Sequence, residues 1–226
     1  MKQMKAVIFD MDGVISNTVP LHYEVNKEVA NQFDVPFNRQ WNQQLQGLSR
    51  RVTVQAIIDK AEVVLSEEEF ERVCDKKNAH YIQLLQNMTP DDAQPGISAF
   101  IENVKKLGVT MVVASASQNA SLVLSKLDLL SYFAGVVDVT TLKRGKPDPE
   151  IFLKAAEIAG VDPSECVAIE DGEAGLSAIL QTEMFSVGVG REPSLVRADF
   201  TLSSTEYLTI GSLEEALQKQ QKTLYC

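Results

Sequence analysis

The sequence predicts an α/β fold, in which a doubly wound parallel sheet carries helices on both faces and an all-helical cap domain is inserted after the first strand. Two observations support this prediction. Short segments rich in Val and Ile alternate with helical patterns along most of the 226 residues. The alternation stops between about residues 18 and 91, where only helical patterns occur. We therefore expect residues 1–17 and 92–226 to form the sheet-containing core and residues 18–91 to form the cap.

The predicted strands are short apolar segments that run without polar alternation. Strands buried on both faces of a parallel sheet have this pattern, because helices cover each face. A further segment, "ADFTL" at residues 198–202, has a weaker signal. The five clear segments are residues 5–9, 109–115, 134–139, 166–170 and 185–190.

Helical patterns separate these strands in the core. Gly108 and Gly160 stand where a helix commonly ends, and Pro149 is expected within the first turn of its helix, where a missing N–H costs little. The predicted core helices cover residues 96–108, 119–133, 147–160 and 172–182.

The cap is predicted to be helical throughout. Its helical segments are "LHYEVNKEVANQF", "RVTVQAII" and "EEEFERVCDKKNAHYIQLLQN", and Gly47 is its only glycine. It ends at the turn-rich stretch "TPDDAQPG". We expect its two connections to the core to act as hinges.

Charge and composition narrow the classes of partner. The formal net charge is −10, so the surface should repel nucleic acid and anionic membranes, and we expect neither as a partner. A phosphorylated small molecule could bind this acidic protein only where local cations or a metal ion make the potential positive. No secretory signal or membrane-spanning run is apparent, which favours a cytoplasmic protein. The cysteines, Cys74, Cys166 and Cys226, have neither disulfide nor zinc spacing and are expected to be reduced thiols.

Two acids follow the first predicted strand in "VIFDMDGV". Residues i and i+2 of an extended chain point to the same side, so Asp10 and Asp12 are expected to face one site. That site lies at the carboxyl edge of the sheet, where open α/β sheets bind ligands, and Gly13 permits a sharp turn there. A helix cap or turn would explain a single acid, but it does not explain two.

A second acidic pair, Glu170 and Asp171, ends the strand "CVAIE" and precedes Gly172. Carboxylates from two adjacent strand ends would form an oxygen-rich site suited to a hard cation such as Mg²⁺. The competing interpretation is that this pair only caps the next helix.

Two further polar residues follow predicted strands. Ser115 would bind a phosphoryl oxygen or cap the helix that begins near Asn119. Lys146, in "RGKPDPE", would neutralise phosphate charge or be an ordinary solvated lysine, as we expect for Lys143 and Arg144.

Four motifs, each at or just beyond a predicted strand end, resemble those of the haloacid dehalogenase superfamily of phosphotransferases. They are "FDMDG", "ASAS", "GKPDP" and "IEDGEAG", and they occur in that order over nearly the whole chain. The resemblance implies a Rossmann-like core with a mobile helical cap. It also implies an aspartyl-phosphate mechanism.

By this resemblance, Asp10 is the nucleophile and Asp12 is the general acid and base. Ser115 and Lys146 are the other catalytic residues and would steady the phosphoryl oxygens. The resemblance also implies Mg²⁺ as cofactor. Its ligands would be Asp10, the backbone carbonyl of Asp12, Glu170 and Asp171.

Within the superfamily, four stretches are similar to the branch that interconverts β-glucose 1-phosphate and glucose 6-phosphate through a sugar bisphosphate. They are "DGVISNTVPLH", "LQGLSRRVT", "KKNAHY" and "SASQN". Arg50 would bind the substrate's second phosphate, the one that is not transferred. His22 would assist the proton transfer by Asp12. From the residues alone, it stays open whether Arg50 is a solvated surface residue and whether His22 only packs in the interior. The substrate-binding residues implied are Thr18, His22, Gly47, Leu48, Ser49, Arg50, Thr53, Lys77, Asn78, Ser115, Ala116, Ser117, Gln118 and Asn119.

Four positions depart from that branch: Asn17, Asn26, Gln46 and Gln118. Gln46 and Gln118 stand where basic residues are frequent. We therefore expect weaker binding of the substrate's second phosphate, the one that is not transferred. A sugar-phosphate phosphatase of the same superfamily is the alternative function. A catalytically inactive binding protein is a third interpretation, although the nucleophile and metal ligands are present. We expect a monomer.

Overall fold

The computed structural model describes residues 2–224, so the prediction for Cys226 lies outside the described part of the chain. Its main sheet is six-stranded and parallel, in the spatial order β4-β3-β2-β5-β6-β7. A separate parallel pair, β1 (Lys2–Gln3) and β8 (Lys222–Thr223), was not expected from the sequence. The strands of the main sheet are β2 (Ala6–Phe9), β3 (Thr110–Val113), β4 (Gly135–Val136), β5 (Cys166–Glu170), β6 (Phe185–Val189) and β7 (Phe200–Leu202).

Strand β2 occupies the middle of this sheet. Phe9, its last residue, is in register with Val113 of β3 and Ile169 of β5. The carboxyl ends of the three strands are therefore level, and the residues that follow them share one edge. The chain extends outward from β2 on both sides, which makes this edge the topological switch point where such sheets bind ligands.

Helices cover both faces of the main sheet, as predicted. Val7 and Phe9 belong to the apolar cluster on one face, with α5, α6 and α9, whereas Ala6 and Ile8 pack on the other face with α7 and α8. This burial on both sides explains the unbroken apolar sequence of β2. The core helices are α5 (Ile97–Lys106), α6 (Ala120–Lys126), α7 (Glu150–Ala159), α8 (Glu173–Ile179) and α9 (Ile210–Lys219).

Three local expectations for the core were wrong. The helix expected over 119–133 stops at Lys126, because Asp128 adopts a left-handed conformation (φ 57°), which a short polar side chain tolerates. The strand expected over 134–139 is paired only at Gly135–Val136. Pro149 lies at the N-cap position of α7, one residue before its first turn. Gly108 and Gly160 do follow the ends of α5 and α7, and both adopt a left-handed conformation there.

The cap consists of four helices with an apolar cluster of their own. Three correspond to predicted segments, and α2 was missed because it is short and lacks apolar periodicity. It begins where the N–H of Trp41 donates to the side chain of Asn38. None of the helices in residues 2–224 is long and apolar enough to cross a membrane. The cap helices are α1 (Val19–Gln32), α2 (Arg39–Gln44), α3 (Arg50–Ala61) and α4 (Glu67–Leu85).

The two connections between cap and core run side by side. The N–H of Asn17 donates to the carbonyl of Asp92 at 2.8 Å, and the N–H of Gln94 donates to that of Ile15 at 2.8 Å. An antiparallel bridge between Ser16 and Ala93 lies between these bonds. The exact division of the chain into residues 1–17 and 92–226 and residues 18–91 stays a prediction.

Candidate active site

A cavity of about 760 Å³ lies between the carboxyl edge of the main sheet and the cap. Asp10, Asp12 and Lys146 line it on the core side. Of the predicted substrate-binding residues, Thr18 and Ser115 do not line it, because both are fully buried behind Asp12. The others do: His22, Gly47, Leu48, Ser49, Arg50, Thr53, Lys77, Asn78, Ala116, Ser117, Gln118 and Asn119.

Lys146 is bound to two acids at the floor of the cavity. Its Nζ donates to Oδ1 of Asp10 at 2.5 Å and to Oε2 of Glu170 at 2.8 Å. The residue is only 5% exposed, which excludes an ordinary solvated lysine. Burial alone would lower the pKa of Lys146, but the two carboxylates outweigh it and raise that pKa. Lys146 therefore stays charged beside Asp10.

Asp10, Glu170 and Asp171 form a cluster in which oxygens of the three carboxylates lie within 4.8 Å of one another. Burial, and then Glu170, raise the pKa of Asp10 to about 8, against the opposing effect of Lys146. Burial and the neighbouring acids also raise the pKa of Asp171. Three carboxylates this close together, two of them buried, are costly to ionise without more positive charge than one lysine supplies. The oxygen donors of this cluster fit a hard divalent cation.

The turn after β5 is held by Glu170 rather than by a helix cap. The N–H groups of Asp171 and Gly172 both donate to Oε1 of Glu170 at 3.1 Å. Helix α8 starts after Gly172 without a side-chain cap, so the capping interpretation of the pair was wrong. Two glycines make room for the acids: a methyl group at Gly13 would overlap Asp171, and one at Gly175 would overlap Glu170.

The carboxylate of Asp12 is surrounded by donors from both parts of the chain. Its Oδ1 accepts from Oγ1 of Thr18 at 2.5 Å and lies 3.1 Å from Nε2 of His22. Ser115 Oγ is 3.5 Å from its Oδ2. Burial raises the pKa of Asp12, but His22 and the hydrogen bonds from His22 and Thr18 more than offset it, so that pKa is lowered. Asp12 is therefore ionised at neutral pH and able to accept a proton.

Ser115 does not cap α6. Its Oγ accepts from the N–H of Ser117 at 3.1 Å, within the loop before that helix. Helix α6 begins after Asn119, whose side chain makes no capping bond. Instead, the amide of Asn119 donates to Oδ1 of Asn78 in the cap at 2.9 Å.

Three cations of the cap line the same cavity: Arg51, which is ion-paired within the cap, and Arg50 and Lys77. Arg50 is partly buried, and its Nη2 donates to Oε1 of Gln118 in the core at 2.9 Å. Lys77 is 8% exposed, and burial, with a smaller effect of Arg50, lowers its pKa to about 8. An anion on the cap side of the cavity would meet the charges of Arg50 and Lys77.

Three features of the site were missed from the sequence. In the sequence, Gln46 stands out only as an uncharged residue at a position where a cation is frequent. Its Nε2 donates to Oδ2 of Asp171 at 3.0 Å. Tyr81 stacks on His22 with ring centroids 4.5 Å apart. Asn26 and Asn42, both buried in the cavity wall, are joined by a 2.9 Å hydrogen bond. Only Tyr81 had a local signal, because it stands four residues after Lys77 and so lies on the same helical face.

Comparison with known proteins identifies relatives along most of the chain. The chain is 42% identical over 214 residues to the β-phosphoglucomutase of Bacillus subtilis (strain 168), covering 94% of this chain and 95% of that protein. It is 33% identical over 178 residues to a phosphorylated carbohydrates phosphatase of Thermotoga maritima, covering 77% and 80% of the two chains.

The architecture has a similarly close counterpart. A crystal structure of β-phosphoglucomutase from Clostridium difficile superposes with a TM-score of 0.93 at 34% identity, over 96% of this chain and 99% of that one. The family model of haloacid dehalogenase-like hydrolases matches residues 4–181, which include both acidic strand ends, Lys146 and the cap. The chain belongs to the haloacid dehalogenase-like hydrolase family.

Proposed function

We propose that the protein is a β-phosphoglucomutase, which interconverts β-D-glucose 1-phosphate and D-glucose 6-phosphate through a phosphorylated enzyme. One observation carries the proposal. A single cavity has Asp10 and Asp12 on its core side and Arg50 and Lys77 on its cap side. A mutase needs this arrangement, because its bisphosphate intermediate must present one phosphate to the nucleophile while the other is held elsewhere. The similarity to the Bacillus subtilis enzyme supports it.

Asp10 performs the covalent step. One of its carboxylate oxygens attacks phosphorus, the bond from phosphorus to the sugar oxygen breaks, and the phosphoryl group is left on Asp10. Lys146 holds Oδ1 of Asp10 and lies close enough to offset the charge of the transferring group. Ser115, which the sequence predicted as a phosphoryl ligand, lies behind Asp12 and supports the loop of Ser117 instead.

Asp12 moves the proton. When the phosphoryl group passes from Asp10 to a sugar hydroxyl, Asp12 accepts the hydroxyl proton, and it returns a proton to the sugar oxygen in the opposite half-reaction. The lowered pKa of Asp12 leaves it ionised for the first of these tasks. Thr18 and His22 keep its carboxylate oriented toward the cavity.

We propose Mg²⁺ as the cofactor, held by Asp10, Glu170, Asp171 and the backbone carbonyl of Asp12. When bound, the ion neutralises negative charge that gathers between the carboxylates and the phosphoryl group. The crowding of three carboxylates, two buried and one half-buried, supports this assignment. The cap (residues 18–91) closes over the cavity and limits the entry of water, which would otherwise hydrolyse the aspartyl phosphate. A monomeric state and a cytoplasmic location stay predictions.

A coupled assay tests the reaction. Purified protein with Mg²⁺, β-glucose 1-phosphate and a trace of β-glucose 1,6-bisphosphate should form glucose 6-phosphate without releasing phosphate. Asp10→Asn should lose both this activity and the mass gain of one phosphoryl group in intact-protein spectra. Persistent phosphorylation of that variant would contradict the nucleophile assignment.

A sugar-phosphate phosphatase is the second candidate. Gln118 and Gln46 are uncharged where the branch often has cations, and the Thermotoga maritima relative is a phosphatase. Fewer cations weaken the hold on a bisphosphate and favour its loss before the second transfer. Phosphate release from a panel of sugar phosphates, at a rate comparable to isomerisation, would favour this function.

A further inference from the structure

Two glutamines of the cap make similar hydrogen bonds to different parts of the core. Gln43, on α2, donates from Nε2 to Oε2 of Glu192 at 2.6 Å, in the loop after β6. Gln46, just after α2, donates from Nε2 to Oδ2 of Asp171 at 3.0 Å. Both bonds join cap and core, but only that of Gln46 reaches the cluster of Asp10, Glu170 and Asp171.

The segment that carries Gln46 packs directly on the core around this cluster. A Cβ atom at Gly172 would be 3.8 Å from Cβ of Gln46, and one at Gly47 would be 3.6 Å from Cδ of Lys146. Gly47 has a left-handed conformation (φ 74°), which turns the chain at this contact. Gln46 also lies between two cavities, because it lines both the 760 Å³ cavity and a 430 Å³ cavity that Asp171 faces.

The carboxylate of Asp171 is consequently confined on two sides. Gly13 lies against its Oδ2, where no side chain could fit. The amide of Gln46 donates to the same oxygen and fixes the rotation of the carboxylate. The amide of Gln46 donates this hydrogen bond without adding a second positive charge to that of Lys146 beside the cluster.

We propose that Gln46 is a positioning residue that couples closure of the cap to binding of a divalent cation at Asp171. Hydrogen bonds that orient a ligating carboxylate strengthen metal binding, and removing them typically costs 10- to 100-fold in affinity. Because Gln46 reaches Asp171 from the cap, cation binding and cap closure favour each other by the same factor. This inference rests on the cation site assigned under the proposed function.

Titration with Mn²⁺, followed by electron paramagnetic resonance of the free ion, tests the coupling without any turnover. Wild type, Gln46→Ala and Gln43→Ala are compared, since Gln43→Ala removes a cap–core bond that does not touch the cluster. We expect Gln46→Ala to bind Mn²⁺ about tenfold more weakly and Gln43→Ala to match wild type. Gln46→Met, which keeps the side-chain volume but not the donor, should resemble Gln46→Ala.

Hydrogen exchange of residues 45–49 gives the second measurement. Mn²⁺ should slow exchange there in wild type and Gln43→Ala but not in Gln46→Ala, because the cation then has no connection to the cap. Equal Mn²⁺ affinity and equal protection in Gln46→Ala and wild type would overturn the coupling alone. Failure of wild type to bind Mn²⁺ would overturn the cation site and the coupling together, whereas phosphate release by a Mn²⁺-binding wild type would overturn only the mutase assignment.

Discussion

Nε2 of His22 lies 3.1 Å from Oδ1 of Asp12, although His22 belongs to the first cap helix and Asp12 follows the central strand of the core. Tyr81 of α4 stacks on the imidazole and holds it in place. The proton affinity of the proposed acid and base therefore depends on the position of the cap. Opening the cap removes a favourable contact from the ionised carboxylate and makes it a more basic group.

Replacing His22 should shift the pH dependence of activity. His22→Ala removes an interaction that lowers the pKa of Asp12, while the burial that raises it remains. A base must be deprotonated, so the acidic limb of kcat/KM should move to higher pH and the plateau should fall on the order of 10²-fold. His80→Ala is the matched control, because the other histidine binds Glu28 away from the cavity. An unchanged acidic limb in His22→Ala would contradict the coupling.

Removing Arg50 should weaken the hold on the second phosphate. Arg50→Ala is expected to raise the Kd for β-glucose 1,6-bisphosphate by about 10- to 100-fold, the loss of roughly 1.5–3 kcal/mol for a charge-assisted hydrogen bond. Isothermal titration calorimetry with Asp10→Asn as background avoids turnover. Arg72→Ala is the control, since Arg72 pairs with Glu68 on α4 and does not line the cavity. Similar affinities in the two variants would remove Arg50 from the binding site.

We expect Lys77 to lower the stability of the fold and to strengthen sugar-phosphate binding. Its pKa falls from 10.5 in the unfolded chain to about 8 when folded, which corresponds to roughly 3 kcal/mol at pH 7. Between these values the unfolded state binds more protons, so this cost is full below pH 8 and disappears as pH rises toward 10.5. Lys77→Met should raise the free energy of unfolding at pH 7, with little gain at pH 10, and should weaken sugar-phosphate binding. Urea unfolding at both pH values tests this, and a gain independent of pH would contradict it.

Gly175 should not tolerate a side chain. A methyl group there would overlap the carboxylate of Glu170, which in turn holds Lys146. Gly175→Ala is expected to lower the free energy of unfolding by about 1–3 kcal/mol and to impair phosphoryl transfer. Gly211→Ala, in helix α9, meets only an ordinary contact with Thr209 and serves as the control. Wild-type activity of Gly175→Ala would show that Glu170 is free to shift.

The sequence predicts best what depends on local patterns. Asp10 follows β2 and Glu170 ends β5, both strands have unbroken apolar runs, and parallel neighbours end at one edge, so the proximity of these acids could be predicted. Lys146 was ambiguous, because nothing near it in the sequence reveals that its side chain is buried between two acids. The bond from Gln46 to Asp171 joins residues 125 positions apart, and a lone polar residue does not indicate its partner.

The paired connections at Asn17–Asp92 and Ile15–Gln94 limit how the cap can move and determine where the inserted segment enters and leaves the core. Because the two connecting segments are hydrogen-bonded to each other, we expect them to bend together about one axis rather than as two independent hinges. The same pairing brings the entry and exit of the inserted segment next to each other. A different insertion of any length could replace the cap there without separating the strands of the core, so that the specificity of this scaffold is exchangeable while its phosphoryl chemistry is retained.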